Sequence, residues 1–197
     1  TEQVQIRDNG DIDLVNDGNV TFGADYDTYL YHPGADQLAL TTAGTERLRV
    51  TEQGQILIGS PTPRFIAQNS PGLQVSGNQP TASAAFMIYN NTTQGTGIHL
   101  GKSRSTTIGG VQSVQPGDQL GYAAFSGADG ASLNSVGASI VALVDNAVAA
   151  NSVPTSMMVN TTSVGETSPL PRLLVESKGT ARVINSPTSD TALAVGL

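Results

Sequence analysis

The sequence predicts an all-β chain of two stacked antiparallel β modules, sandwich-like or prism-like, and three observations predict it. Short apolar runs alternate with polar residues and are separated by turn clusters such as Asp8-Asn9-Gly10-Asp11 and Asn16-Asp17-Gly18-Asn19, which is the spacing of a β-meander. One hairpin pattern occurs twice, and a repeat constrains the fold before any single element does. The composition holds 22 Gly but only 5% aromatic residues and no Trp, which suits twisted strands and tight turns and suits helices poorly.

The repeated hairpin lies within residues 38–60. Arg47-Leu48-Arg49-Val50 has a period of two, Gly54 sits in the polar stretch Glu52 to Gln55, and Ile56-Leu57-Ile58 comes next. Near the far end Arg172 to Val175, Gly179 and Ala181 to Val183 stand in the same order, and Ser186-Pro187-Thr188 answers Ser60-Pro61-Thr62 after one inserted residue.

In chain order, strands are predicted at 4–6, 12–15, 20–22 and 38–40, and the first hairpin closes an N-terminal module over 1–60. Residues 61–72, with Pro61, Pro63 and Pro71, read as a semi-rigid connector. A second module over 73–186 offers strands near 73–75, 84–89, 97–101, 119–125, 137–144 and 157–160 before the second hairpin. Ser139 to Val144 is the one run apolar enough for burial on both faces. A helix at 147–150 would make barely a turn before Pro154. Residues 187–197 read as the start of a further module, so the chain is expected to be a segment of a longer modular protein.

The runs Ala35 to Leu40, Gly44 to Val50 and Gly54 to Gly59, with Leu100 to Arg104, Gly117 to Gly121, Phe125 to Gly130 and Gly137 to Ile140, resemble the cadence of bacteriophage tail-fibre proteins, those of cyanobacterial phages above all. The resemblance covers most of the chain, and its motifs are structural punctuation that name no chemistry. It implies a homotrimeric fibre in the virion tail, joined to other tail proteins, that positions a host-recognition tip. Pro171 departs from it, where the family carries glutamate before the arginine.

Composition excludes several functions. A net charge of -7 with only 9 Lys and Arg cannot supply the clustered cations that nucleic acid requires. No apolar run approaches the ~20 residues of a membrane-spanning helix, so no membrane insertion is expected. Without Cys there is no disulfide, thiolate metal site or cysteine nucleophile. No cofactor or metal is expected: counting an EF-hand from Asp8 puts Gly10 and Ile12 in ligand positions, and His32 and His99 lack partners.

Two candidate sites remain. Phe22, Tyr26, Tyr29 and Tyr31 gather four of the nine aromatic residues within ten positions; packing between subunits is favoured over contact with a host glycan or receptor. Asp118, Asp129 and Asp145 are the carboxylates from which a polysaccharide depolymerase would draw its pair. Each sits at a turn with no Trp platform, so no catalytic residue and no enzyme activity is predicted. Arg47, Arg49 and Arg172 are expected in ion pairs with Glu46, Glu52 and Glu176.

Overall fold

A computed structural model describes residues 4–6, 8–14, 18–79 and 82–184. The expected matches at 186–188 and the start of a further module over 187–197 lie outside them. The fold is all β, with no helix among the described residues. Contacts divide it into two compact units, Thr1–Met87 and Ile88–Leu197.

The first unit opens with a small hairpin, β1 (Val4–Ile6) against β2 (Ile12–Leu14), turned at Asn9-Gly10. Its main element is a six-stranded sheet in chain order: β3 (Val20–Phe22), β4 (Thr28–Tyr31), β5 (Leu38–Thr42), β6 (Thr45–Val50), β7 (Ile56–Ile58) and β8 (Leu73–Val75). All neighbours are antiparallel except β7 and β8, which run parallel. Parallel pairing needs a long return, and the Pro-rich stretch supplies it. That stretch folds back against the sheet: the Gln55 amide donates to Ser70 Oγ at 2.8 Å, and Arg64 N donates to Gln74 Oε1 at 2.9 Å. Leu73–Val75, expected to open the second module, is thus the sixth strand of the first sheet.

The second unit holds a five-stranded antiparallel meander of β9 (Gln119–Gly127), β10 (Ser135–Val144), β11 (Thr155–Thr161), β12 (Leu170–Val175) and β13 (Ala181–Val183). The run expected to be its core strand is β10, paired on both sides.

The two hairpins share their hydrogen bonds position by position. In the first, Gly54 N donates to Thr51 O at 2.9 Å, Thr51 N to Gln55 O at 2.9 Å and Gly59 N to Arg47 O at 3.0 Å. In the second, Gly179 N donates to Glu176 O at 2.9 Å, Glu176 N to Thr180 O at 2.9 Å and Ile184 N to Arg172 O at 2.7 Å. Gly54 and Gly179 have φ of 75° and 88°, a region that costs any residue with a Cβ about 1 kcal/mol or more.

Three expectations change. β4 was not predicted, whereas 84–89 and 97–101 form no strand. Alternation makes a segment fit to be a strand, but a strand exists only where a neighbour accepts its ladder. The short helix does not form either: at 147–152 Ala149 and Ser152 exchange backbone hydrogen bonds of 3.0 Å around Asn151, whose φ is 59°.

Candidate functional site

The register assigns every strand residue to a face, because side chains alternate across a sheet. On one face of the six-stranded sheet lie Tyr29 and Tyr31, Ala39 and Thr41, Glu46 and Arg49, Leu57 and Gln74. Glu46 and Arg49 share this face, despite being three apart, because the register slips between Leu40 and Thr41 and leaves Arg47 as the extra residue of a β-bulge. Ala39, Thr41 and Leu57 are almost wholly buried here, at 0, 2 and 2% exposure.

The bulge assembles a polar network. Arg49 grips Glu46 with two donors, Nε to Oε1 at 2.7 Å and Nη2 to Oε2 at 2.6 Å. Arg49 Nη1 also donates to Gln37 Oε1 at 3.0 Å, and the Tyr31 hydroxyl donates to Glu46 Oε2. The Arg49 hydrogen bonds hold the Glu46 carboxyl below its ordinary range, and the bond to Glu46 raises Tyr31. The rings of Tyr29 and Tyr31 meet edge to face, 5.3 Å between centroids.

The four aromatics singled out in the sequence are therefore not one cluster. Tyr29 and Tyr31 share the network face. Phe22, paired with Thr28, points to the opposite face. Tyr26 stands in the turn between β3 and β4, 76% exposed and with a left-handed φ of 58°. Gln37, Glu46 and Arg49 complete the network, and only the bulge, invisible in the local sequence, brings them to the tyrosines.

The arginines are used otherwise than expected. Of the three singled out in the sequence, Arg49 is the one that pairs with a glutamate among the described residues, Glu46. Arg47 Nε donates to Thr42 Oγ1 at 3.0 Å and Arg172 Nε to Thr161 Oγ1 at 3.1 Å; Glu176 is met instead by Lys178 and Arg182.

Each of the three aspartates is engaged by its own donors. Asp118 accepts from Arg104 Nε at 2.6 Å, Lys102 Nζ at 2.8 Å and Gln115 N at 2.9 Å, and these hold its carboxyl far below the usual range, Arg104 foremost. Asp129 accepts from Ser135 Oγ at 2.6 Å and from the amides of Ala131 and Ser132 at 2.8 Å, which lower it to about 2. Asp145 accepts from Ser177 N at 2.9 Å. Asp118 and Asp129 flank opposite ends of β9, roughly 30 Å apart at strand rise, beyond any glycosidase spacing. Asp145 lies near Asp118, whose carbonyl accepts from Val144 N at 2.8 Å, but the two carboxylates are each taken up by their own donors. Among the described residues no group of three or more His, Asp or Glu is placed to hold a metal ion.

The larger anomaly is where the apolar side chains lie. The other face of the six-stranded sheet carries the row Val20, Leu30, Leu40, Leu48, Ile58 and Val75, and beside it Leu38, Val50, Ile56 and Leu73. Leu38 and Leu73 are 51 and 61% exposed. The six-stranded sheet thus covers its smaller and more polar side and leaves its oily side open, the reverse of what a self-sufficient fold does. The five-stranded sheet also leaves an apolar row open, Ile140, Val159, Leu173 and Val183, while its other face mixes Val141, Leu143, Met158 and Leu174 with the buried Ser139, Ser156 and Asn160.

Two solved structures share this all-β fold. One is the carboxy-terminal domain of the bacteriophage T5 L-shaped tail fibre, matched over 92% of this chain and 82% of that one at 19% identity and a TM-score of 0.60. A second is the same domain with its intra-molecular chaperone domain, matched over 89% of this chain at 18% identity and a TM-score of 0.60; this chain spans 55% of that longer one. At these identities the likeness is one of fold. No protein-family model matches the sequence, and no curated protein sequence matches it.

Proposed function

We propose that the chain is a structural segment of a phage tail fibre, a component of the virion tail that spans distance and holds a host-recognition tip away from the particle. Its working form on this reading is a homotrimer joined to other tail proteins. The observation that carries the reading is the open apolar face of the six-stranded sheet, which gains free energy only when another surface covers it. The number three comes from the resemblance to tail fibres.

A second reading, host contact, is favoured by the Tyr29 and Tyr31 pair. Both rings are half-buried on the covered face of the sheet, and the part left to solvent is a surface on which a sugar can stack. Adsorption separates the two. Purified chain added in excess to the cells that its phage infects is expected to leave phage adsorption unchanged. Blocked adsorption, abolished by Tyr29→Ala with Tyr31→Ala in an assembly of unchanged mass, would replace the structural reading with host contact. Release of reducing ends from host polysaccharide would replace both with a depolymerase.

A further inference from the structure

The five-stranded sheet holds a second feature, a cleft of about 270 Å³ on its open face. Gly121, Ala123 and Ala142 make its floor, and Leu100, Ile140 and Met157 rise around it. The floor has to be small. A Cβ on Gly121 would lie 2.6 Å from Leu100 Cβ, so the chain at Leu100 lies directly on the sheet there. Leu100, Ile140 and Met157 are 60, 41 and 53% exposed. Small residues ringed by large apolar ones form a socket for an apolar side chain.

We infer that this socket receives an apolar side chain from a second copy of the same chain, and so fixes how neighbouring copies sit around one another. The inference rests on the homotrimeric reading above and adds the contact that sets its register. Three observations select the occupant. The socket shares Ile140 with the row Ile140, Val159, Leu173 and Val183, so it is part of an extended apolar face and not an isolated ligand pocket. No carboxylate lies on that face of β9 to β13, and the one charged group bonded there is Arg172, held on Thr161 at the bulge. Copies that each carry a charge of -7 meet there without bringing carboxylates together. Finally, Ile140, Met157, Leu173, Val175 and Val183 stand 37 to 63% exposed on this one face, a contiguous apolar patch of the kind that marks a protein–protein contact.

The absence of cysteine gives a clean test. Met157→Cys places one thiol at the socket wall, and Arg182→Cys places one on the opposite face of the same sheet, in line with Leu174 and Met158. In the assembled protein Met157→Cys is expected to react with a maleimide at least tenfold more slowly than Arg182→Cys. Ile140→Asp is expected to lower the mass in solution to that of one chain. If Met157→Cys labels as fast as Arg182→Cys, or Ile140→Asp leaves a multiple of the chain mass intact, the socket is not at the interface and the inference fails while the homotrimeric reading stands. A wild-type protein that is monomeric in solution overturns both.

Discussion

Arg47 and Arg172 occupy the same place in two separate sheets. Each is the extra residue of a β-bulge, and each turns its Nε onto the hydroxyl of a threonine on the neighbouring strand, Thr42 and Thr161. Beyond each arginine the two hairpins also agree, down to the turn amides and the glycines with positive φ. Arg172 Nη2 also donates to Ser163 Oγ, so Arg172→Ala is expected to destabilise more than Arg47→Ala, about 0.5–1.5 kcal/mol for the Thr42 bond of Arg47 and up to twice that for the two bonds of Arg172. They lie in separate units, so the effects should add in the double variant. Thermal unfolding of the three variants measures this; equal losses in the two singles would show that the Ser163 bond contributes nothing.

Two glycines of the first hairpin, Gly54 in its turn and Gly59 just after β7, differ in tolerance. A Cβ on Gly54 meets open space, whereas one on Gly59 would lie 2.1 Å from the carbonyl oxygen of Ser76. Gly54→Ala is therefore expected to cost about 1 kcal/mol for its left-handed φ alone. Gly59→Ala must also push β8 from its parallel place beside β7, and should cost at least twice as much. Chemical denaturation of both variants ranks them.

Acid should find the second unit resistant. The folded values of Asp118 and Asp129 are depressed. Their contribution is therefore present above the unfolded carboxylate value near 3.9 and lost only as pH falls from there through the folded values, about 2 for Asp129. Asp118→Asn, which leaves Arg104 and Lys102 facing an amide, should lower the melting temperature at pH 7. The gap to wild type should close below pH 4. A gap independent of pH would mean that the side chain acts through shape and not charge.

Alkali should find the first unit sensitive. Tyr31 is raised above its ordinary value by its hydrogen bond to Glu46. The stabilisation is thus complete below the unfolded tyrosine value near 10 and fades as pH rises through the folded one. Tyr31→Phe is expected to cost about 1 kcal/mol at pH 7 and to remove that alkaline loss, read as melting temperature against pH.

Much of this fold was legible in local sequence. The hairpins β6 to β7 and β12 to β13 announce themselves by period-two apolar runs on either side of a glycine. β4 was hidden because Thr28-Tyr29-Leu30-Tyr31 does not alternate cleanly, tyrosine being at home on either kind of face. Segment 84–89 is an unbroken apolar run and 97–101 alternates, yet neither forms a strand, and β8 pairs with β7 across a Pro-rich return. Pairing depends on partners distant in sequence, and periodicity carries no record of them. The candidate site was legible only by halves. The tyrosines stand out by composition, but Phe22 and Tyr26 leave their company once alternation and the turn are fixed. Glu46 and Arg49 join it through a bulge that no residue pattern marks.

The central claim is that the open apolar faces are interior surfaces of an assembly of this chain. Light scattering of the purified protein tests it most directly. A mass three times 20.2 kDa is the predicted result. A stable species of 20.2 kDa, with Ile56, Ile58 and Leu73 still open to solvent, would contradict it.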